Sequence, residues 1–396
     1  MKPRVAIFAG MFKEKSDGSA RSLIQLSKSL SKQGIEHMVF SPCVDEFDSS
    51  HLCVFEVTSI PIFFYPEYKI GFFSKKVRQA LEQFKPDIIH VSTPDLTGHG
   101  ATKYAKKHNI PLVGSFHTHF PSYLPYYRLG FLQHWLWGKL KKHYNQCQAV
   151  FAPTKIIQDE LLSHGIVGLG KNKHKHAIKI WSRGIHETMF SADKRDVTLR
   201  QTWGGDDKFY VLYVGRLVWY KNLECIRKVY DDLSQGQPEL FRKIKFCFVG
   251  DGPAKEVLKN QMPKAHFFGS IKPEKIGQYY ASADVLFFPS TTETFGQVVQ
   301  EALASGCPAL VSNQGGCQEI VKESQAGYIF SQDDIPAYSA SIKELVVNLN
   351  KRQNLQEKAL AYAKTKQWDQ VNQAVIDVYK DLVNLSVPLQ NNRKLG

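Results

Sequence analysis

The chain has 396 residues, of which 43% are hydrophobic and 22% are charged, so its composition excludes a disordered protein and its length allows two domains with full cores. No run of about eighteen apolar residues occurs, which argues against a transmembrane helix. Seven cysteines, none in a Cys-x-x-Cys pair, and the lack of any Cys/His grouping with zinc spacing predict reduced thiols, a cytoplasmic protein and no metal site.

Charge is unevenly distributed along the chain, whose formal net charge is +14. Residues 1–200 contain 28 Lys or Arg and 16 Asp or Glu, whereas residues 201–396 contain 23 and 21. Between Leu96 and Gln158 there are eight basic residues and no acidic one. A basic surface on one part of the molecule predicts an anionic partner, which is membrane lipid, nucleic acid or a phosphorylated substrate.

The first predicted elements form a βαβ unit: a strand over residues 4–9, a helix over 20–33 and a strand over 37–41. The chain turns polar at Lys13, so the N-terminal apolar run is predicted to be a buried strand rather than a signal peptide. Gly18 precedes the helix, where a backbone could approach a phosphate. A loop glycine is, however, more often only a turn residue.

The next predicted elements are a strand over 88–91, a helix over 98–108 and a strand over 111–115. Two histidines follow the second of these strands. His117 and His119 lie two residues apart at this strand end. A single loop histidine is more often a surface residue, and the pair suggests a metal only if a third ligand is near. The sequence provides no third ligand nearby.

Residues 123–143 interleave Tyr, Trp and Leu with Arg and Lys. One interpretation is a helix that inserts one face into a bilayer interface while its lysines meet anionic headgroups. A second is a core helix whose lysines extend to solvent. Aromatic and basic residues in alternation also suit single-stranded nucleic acid, which is the weakest of the three interpretations.

The second half begins with a polar run over residues 191–207, which is predicted to be a linker. The strand predicted at 209–214 is followed by Arg216 and Lys221. An arginine and a lysine after a strand can hold a diphosphate, since the guanidinium binds two oxygens and the ammonium acts as a point charge. Ordinary surface charge is the alternative.

Further strands are predicted over 246–250 and 266–271, and then a second βαβ unit. The strand of this unit spans 285–288, its helix starts near residues 295–296, and the next strand spans 309–312. Ligands of parallel sheets bind at the carboxyl ends of the strands and against helix N-termini. A last amphipathic helix is predicted over 368–385.

Glu293 lies in the loop of this unit, and Glu301 lies two helical turns into its helix. Each carboxylate can accept two hydrogen bonds from a diol, while the backbone N–H groups of residues 295–297 suit a phosphate. One loop could therefore hold both a sugar and a phosphate, as in a nucleotide sugar. Two solvated glutamates beside a core helix are the alternative.

The sequence P-S-T-T-E-T-F-G-Q-V-V-Q-E-A-L-A-S-G-C-P, with seven residues between Glu293 and Glu301, resembles the E-x7-E signature of the retaining nucleotide-sugar glycosyltransferases of family 4. The preceding strand, the Gly-x-Pro and the later Gly-Gly pair also match. The resemblance implies the α/β GT-B fold: two Rossmann-like domains that face each other across a cleft, with the C-terminal helix crossing back to the first domain.

Other segments resemble the same family. V-G-R-L followed by Lys221 is similar to its phosphate-binding loop, although Asn222 stands where the family has Gly. S-F-H-T at His117 is similar to S-Y-H-T of the lipid-glycosylating branch, where this histidine contacts the transferred sugar. Asp17-Gly18 matches the family's Gly-Gly only in part. The nearest branch is that of sulfoquinovosyl-diacylglycerol synthases and related lipid mannosyl- or glucosyltransferases.

The resemblance also implies the domains and the residue roles. The expected parts are an acceptor-binding domain over 1–190, a linker over 191–207, a donor-binding domain over 208–365 and a returning helix over 366–396. The residues expected to act in catalysis are His117, Arg216, Lys221 and Glu293. The residues expected to bind the donor are Gly18, Arg216, Lys221, Gly252, Ile271, Glu293, Phe295, Gly296, Gln297 and Glu301.

The implied activity is a retaining, metal-independent transfer of a hexose from GDP-mannose or a UDP-sugar to a membrane lipid, in glycolipid or cell-envelope biosynthesis. No cofactor and no nucleic-acid partner are expected, and the basic half would hold the protein on the inner face of the cytoplasmic membrane. The alternatives are a glycosyltransferase with a soluble or polysaccharide acceptor, a sugar-nucleotide sensor without catalysis, and a nucleic-acid-binding protein. Activity without membranes, binding without turnover and salt-sensitive oligonucleotide binding would distinguish them.

Overall fold

A computed structural model of the chain describes five ranges, which are residues 2–13, 18–44, 53–62, 65–169 and 178–386. The chain divides into two compact units. Unit 1 consists of Met1–Gly184 and Trp368–Gly396, and unit 2 consists of Ile185–Gln367. Each unit contains a parallel sheet with helices between strands, which confirms the predicted α/β class.

The described part of unit 1 contains nine strands. They are β1 (Val5–Phe8), β2 (His37–Ser41), β3 (Val54–Glu56), β4 (Ser59–Ile62), β5 (Tyr65–Gly71), β6 (Ile88–Val91), β7 (Leu112–Ser115), β8 (Ala149–Ala152) and β9 (Ile178–Ile180). Seven form one parallel sheet in the order β3-β2-β1-β6-β7-β8-β9, and β4 pairs antiparallel with β5. Every residue of β1, β6, β7 and β8 is buried, so these strands are apolar runs in the sequence.

Helices of unit 1 lie between these strands. They are α1 (Gly18–Lys32), α2 (Lys75–Phe84), α3 (Leu96–Lys107), α4 (Phe120–Tyr123), α5 (Gln133–Tyr144), α6 (Lys155–Ser163) and the C-terminal helix α16 (Trp368–Ser386). The side chains of Ser74, Asp95 and Thr154 each accept a hydrogen bond from the backbone N–H three residues later. These caps satisfy N–H groups that have no partner within the helix, and so determine where α2, α3 and α6 begin.

The C-terminal helix packs on unit 1, as the GT-B resemblance implies. Ile376 and Tyr379 are buried in one apolar cluster with Leu23 of α1. Asn372 is also buried, and its Oδ1 accepts a hydrogen bond of 3.1 Å from Trp181 Nε1. The amphipathic pattern of residues 368–385 therefore corresponds to a helix whose apolar side completes the core of unit 1.

The sheet of unit 2 has six parallel strands in the order β12-β11-β10-β13-β14-β15. The strands are β10 (Phe209–Val214), β11 (Ile244–Val249), β12 (His266–Gly269), β13 (Val285–Phe288), β14 (Ala309–Ser312) and β15 (Gly327–Phe330). The helices are α7 (Val197–Trp203), α8 (Leu223–Gly236), α9 (Pro238–Phe241), α10 (Lys255–Gln261), α11 (Pro273–Ser282), α12 (Gln297–Ala304), α13 (Cys317–Ser324), α14 (Ile335–Val347) and α15 (Leu349–Lys364).

Residues 191–207 differ from the linker that their polarity suggests, because they fold as part of unit 2. They include α7, and the Trp203 side chain is fully buried in the core of the unit. Arg200, 2% exposed, donates to Asp284 Oδ2 at 3.1 Å and to the carbonyl of Ser282 at 2.7 Å. A buried charge needs such partners, so Arg200 of this segment belongs to the core structure of unit 2.

Candidate functional site

The sheet of unit 2 reverses its strand order between β10 and β13. At such a point the loops after the two strands turn to opposite sides and leave a crevice for ligands. The loop after β10 contains Arg216 and Lys221, and the loop after β13 contains Glu293. Three residues expected to bind the donor therefore lie on the two loops that border the crevice.

Lys221 and Glu293 form an ion pair, with 2.5 Å between Lys221 Nζ and Glu293 Oε1. The two side chains are mostly buried, at 14% and 23% exposure. Arg216, in contrast, is exposed, and it takes part in no ion pair with another described residue. The site thus holds one cation that a carboxylate already neutralises and a second cation that faces solvent.

Asn222, which replaces the glycine of the family pattern, has a φ of 57° and lies in the left-handed region. Asparagine is the residue that most readily replaces glycine there. Its Nδ2 also donates to the carbonyls of Pro289 at 3.4 Å and Gln332 at 3.3 Å. The loop after β10 therefore keeps a glycine-type turn, and the amide attaches it to the loop after β13.

Gly252, expected to bind the donor, lies where the loop after β11 touches the loop after β10. A Cβ at Gly252 would lie 2.4 Å from the carbonyl oxygen of Leu217, and a Cβ at Gly250 would lie 2.0 Å from that of Gly215. Both glycines have positive φ values, of 157° and 131°. These two positions need glycine so that the loop bearing Arg216 can pack on its neighbour.

The loop after β13 is held by the glycine pair of the sequence motif. Gly316 N–H donates to the carbonyl of Glu293 at 2.7 Å, and a Cβ at Gly316 would lie 2.4 Å from the carbonyl oxygen of Thr294. A Cβ at Gly315 would lie 2.7 Å from the Glu293 oxygen. The Gly-Gly pair therefore allows two backbones to approach closely and positions Glu293.

Helix α12 begins immediately after this loop. Gly296, at φ 96°, precedes its first residue Gln297, so the helix starts one or two residues later than expected. Phe295 is 6% exposed and packs in the core of unit 2. The first N–H groups of a helix are not used within it, so this end of α12 is suited to an anion.

Glu301 is only 5% exposed, so it is not one of two solvated glutamates. Its Oε2 accepts a hydrogen bond of 3.1 Å from the Tyr280 hydroxyl on α11. Nothing in the sequence indicated Tyr280, because 20 residues and a strand separate it from Glu301.

Of the remaining expected donor residues, Ile271 follows β12 and packs against the core, and Gly18 is the first residue of α1. Asp17 lies outside the described residues.

In unit 1, His117 follows β7 and contacts a residue that the sequence did not indicate. Its Nδ1 is 2.8 Å from an Nη of Arg183, and its ring meets the Trp181 ring edge-on at 5.2 Å. Burial, the Arg183 charge and His90 together hold the pKa of His117 well below its ordinary value. A small pocket that includes His117 is also lined by Ser92, Thr93, Pro94, Thr118, Phe120, Leu140 and Tyr144.

His119 has a structural role. Its Nδ1 accepts a hydrogen bond of 3.1 Å from Ser122 N–H at the start of α4, so Nε2 carries the proton and donates to Glu160 at 2.8 Å. The histidine thus fastens α4 to α6. Within the described ranges no group of three or more His, Cys, Asp or Glu is arranged to hold a metal ion.

The segment of residues 123–143 has one face in the core and another face at the surface. Trp137 and Leu140 of α5 are buried, whereas Trp135 is 60% exposed and Phe131, in the turn before α5, is 78% exposed. Lys139 Nζ lies 5.3 Å from the centre of the Trp135 ring. This segment therefore packs on the core with one face and presents large apolar rings beside a lysine with the other.

Comparison with known proteins covers almost the whole chain. The family model described as Glycosyltransferase Family 4 matches residues 16–186, and the one described as Glycosyl transferases group 1 matches residues 197–362. The chain is 29% identical over 394 residues to a GDP-mannose-dependent alpha-mannosyltransferase of Corynebacterium glutamicum, which covers 98% of this chain and 91% of that protein.

Two further relatives extend the comparison. The chain is 31% identical over 281 residues to the sulfoquinovosyl transferase SQD2 of Arabidopsis thaliana, which is 69% of this chain and 52% of that protein. It is 24% identical over 425 residues to an alpha-monoglucosyldiacylglycerol synthase of Acholeplasma laidlawii, with 99% of both chains covered. Among solved structures, a sucrose-phosphate synthase from Thermosynechococcus elongatus superposes with a TM-score of 0.76 at 19% identity, over 97% of this chain and all of that one.

Along the described residues no helix has the length and apolarity to span a membrane.

Proposed function

Because this chain belongs to the glycosyltransferases of family 4 and has their GT-B fold, we propose that it transfers a hexose from GDP-mannose or a UDP-sugar to a membrane lipid, with retention of configuration and without a metal ion. The observation that carries this proposal is the Lys221–Glu293 pair at the switch point of unit 2, with Arg216 exposed on the same loop. This arrangement offers cations to a diphosphate and a carboxylate to a sugar.

Donor binding would separate the Lys221–Glu293 ion pair and give each side chain a new partner. A diphosphate brings several anionic oxygens to Arg216 and Lys221, and each oxygen can replace Glu293 as the partner of Lys221. The Glu293 carboxylate is then available to accept hydrogen bonds from sugar hydroxyls. Glu301, fixed by Tyr280, would accept the ribose hydroxyls.

The transfer breaks the bond between the anomeric carbon and the diphosphate oxygen, and the electron pair leaves with the diphosphate. Negative charge develops on that oxygen, where Arg216, Lys221 and the start of α12 stabilise it. The acceptor oxygen attacks the oxocarbenium-like carbon from the same face and passes its proton to the departing phosphate. No D-x-D sequence occurs in the chain, so these cationic groups take the part that a metal ion would have.

A lipid acceptor is supported by the relative whose name states a diacylglycerol product and by the surface of unit 1. The exposed rings of Phe131 and Trp135 lie in the stretch between Leu96 and Gln158 that contains no acidic residue. Such a surface suits the interface of an anionic bilayer. We place the protein on the inner face of the cytoplasmic membrane, where nucleotide sugars are available.

The test begins with the donor. Thermal unfolding of the full chain is recorded without metal in the presence of UDP, GDP, ADP and CMP and their common sugar conjugates. The nucleotide that binds should raise Tm in proportion to the logarithm of its concentration over Kd. The protein and its preferred donor are then incubated with phospholipid vesicles that contain diacylglycerol and, in parallel, with soluble sugar acceptors. Glycolipid product supports the proposal, transfer only to soluble acceptors would contradict the lipid acceptor, and no Tm shift with any nucleotide would contradict the donor site.

A further inference from the structure

Arg183 is a buried cation that contacts His117. It follows β9 and is 3% exposed. One Nη donates to the carbonyl of Trp181 at 3.3 Å, and the other lies 2.8 Å from His117 Nδ1. The guanidinium carbon lies 5.7 Å from the centre of the Trp181 ring. These contacts orient the guanidinium, because its plane is held from the backbone side and from the ring side.

Chemistry decides which atom of this contact donates. An arginine guanidinium has only N–H donors and keeps its proton in proteins, so the His117 Nδ1 opposite it must accept with its lone pair. A neutral imidazole with a lone pair on Nδ1 has its proton on Nε2. We infer that Arg183 is a positioning residue that fixes His117 as the Nε2–H tautomer, so that His117 donates a hydrogen bond to an oxygen of the substrate.

The surroundings keep His117 in this neutral form. Burial lowers the pKa of His117, and the Arg183 charge acts in the same direction because it opposes a second proton. Three buried titratable groups of unit 1, which are His90, Tyr144 and Tyr379, do not change charge near neutrality. Burial lowers the pKa of His90 to about 3, and it raises the pKa of Tyr144 and of Tyr379 far above the ordinary tyrosine value.

Trp181 provides a rigid support for the pair. Its Nε1 donates to Asn372 of α16 at 3.1 Å, and its ring edge faces His117. Asn372 Nδ2 in turn donates to Ser29 Oγ of α1 at 3.0 Å. The Arg183–His117 contact is therefore attached to the C-terminal helix and to α1, both of which are packed in the core of unit 1.

The inference limits what His117 can do in the proposed reaction, on which this step rests. With the proton on Nε2 and no second protonation, His117 is neither a base at Nε2 nor a cationic acid. It recognises an oxygen lone pair, which in a hexose is a hydroxyl or the ring oxygen. A sugar that lacks the contacted oxygen should then be a poorer donor, because the buried N–H would lose its partner.

The tautomer can be measured directly by nitrogen NMR on the full chain labelled with 15N-histidine. Long-range proton–nitrogen correlations distinguish the two tautomers, and H117Q identifies the His117 signals. We expect the Nε2–H pattern at neutral pH, with no titration near pH 6.5. The Nδ1–H pattern, or titration near pH 6.5, in the unaltered protein would overturn the inference.

Variants of Arg183 separate its donor function from its charge. Arg183→Lys keeps both and should retain the Nε2–H pattern. Arg183→Gln keeps an N–H donor without charge, and Arg183→Met removes both, so Arg183→Met should show both tautomers and a His117 pKa that rises toward 6.5. An unchanged spectrum in Arg183→Met would also overturn the inference, and near-ultraviolet circular dichroism confirms that each variant is folded.

Kinetics provide the functional readout. We expect kcat/KM to fall about 10- to 100-fold in Arg183→Met and Arg183→Lys to restore most of it. Because the NMR pattern requires no turnover, an inactive protein with the Nε2–H pattern would refute the proposed transfer and leave the assignment of the His117 tautomer to Arg183 standing. An active protein with the other tautomer would do the reverse.

Discussion

Glu301, which we propose to bind the ribose, is positioned by one buried contact with Tyr280. The carboxylate is 5% exposed, and the tyrosine hydroxyl holds one of its oxygens at 3.1 Å. A charged acceptor in such a place forms hydrogen bonds worth about 1.5–3 kcal/mol each, and leaving its donor unpaired costs a similar amount. The two residues should therefore contribute unequally to nucleotide binding.

We predict that Glu301→Ala raises the Kd of the preferred nucleoside diphosphate at least about tenfold, because the ribose hydroxyls lose their acceptor. Tyr280→Phe should raise it by a smaller factor, since the carboxylate remains but is less well positioned. Isothermal titration calorimetry measures both values. Equal affinity of Glu301→Ala and the unaltered protein would remove the ribose role.

Arg216 is predicted to act on turnover rather than on stability. In the proposed reaction its exposed guanidinium would stabilise charge that develops only as the diphosphate leaves, so Arg216→Ala should lower kcat by about 10²- to 10³-fold. The control is Arg242→Ala, which removes another exposed arginine of unit 2, paired with Glu239 three residues away. If Arg216→Ala and Arg242→Ala turn over at similar rates, the diphosphate contact is wrong.

At the scale of elements, the junction of β13 and α12 depends on close backbone packing. The Gly-Gly pair lies against the carbonyls of residues 293 and 294, and Asn222 attaches the neighbouring loop. No side chain fits between these backbones. The loop that contains Glu293 is therefore positioned by close backbone contacts and by the Asn222 amide.

We predict that Gly316→Ala destabilises unit 2 by about 1–3 kcal/mol and weakens donor binding, because its Cβ would lie 2.4 Å from a carbonyl oxygen that cannot move independently. Gly236→Ala is the matched control, since a Cβ there has nothing within 4 Å. Chemical denaturation and nucleotide titration measure the two effects. A Gly316→Ala variant as stable as Gly236→Ala would contradict the packing argument.

The stability of the folded chain should depend on pH through His90, which contacts the C-terminal helix. This histidine lies fully buried, 2.5 Å from the Tyr379 hydroxyl of α16 and 2.5 Å from Ser115 Oγ, and its pKa falls from 6.5 to about 3. Between these values the unfolded chain binds a proton that the folded chain does not. Stability should therefore decrease as pH falls from about 6.5 to 3, by about 1.4 kcal/mol per pH unit from this group.

The measurement is chemical denaturation of the unaltered chain and of His90→Gln at pH 6 and pH 4.5. The variant is expected to be less stable at both values, but to lose less stability between them, because it lacks one titrating group. His37 and His143, whose pKa values are also lowered by burial, leave a residual pH dependence in both proteins. Identical losses in the two proteins would exclude His90 as the source.

At the scale of the whole molecule, the excess positive charge lies in residues 1–200, and the exposed aromatic rings of residues 123–143 lie within that stretch. Helix α5 exposes three lysines in the same stretch, which are Lys139, Lys141 and Lys142. Each basic residue near an anionic surface contributes about 1 kcal/mol to membrane binding, and the exposed rings add a contribution that salt does not screen.

Replacing Lys139, Lys141 and Lys142 by Gln should therefore weaken binding to anionic vesicles about 100-fold at low salt. The control replaces three exposed lysines of unit 2, which are Lys272, Lys275 and Lys358. Vesicle sedimentation at increasing phosphatidylserine content compares the variants. A similar loss in both triple variants would indicate non-specific charge attraction, and no loss in either would exclude α5 from the membrane contact.

The sequence by itself determined the parallel strands, most helices, the class of the fold and the family, because apolar runs, glycines and the E-x7-E spacing are local signals. The structure decided what lies far apart along the chain. Lys221 meets Glu293 across 72 positions, Arg183 meets His117 across 66, and Arg200 meets Asp284 across 84. These pairings follow from strand order, which brings distant loops to one sheet edge, and composition contains no record of that order. For the same reason residues 191–207 looked like a polar linker, although Arg200 within them is buried and paired with Asp284 of unit 2.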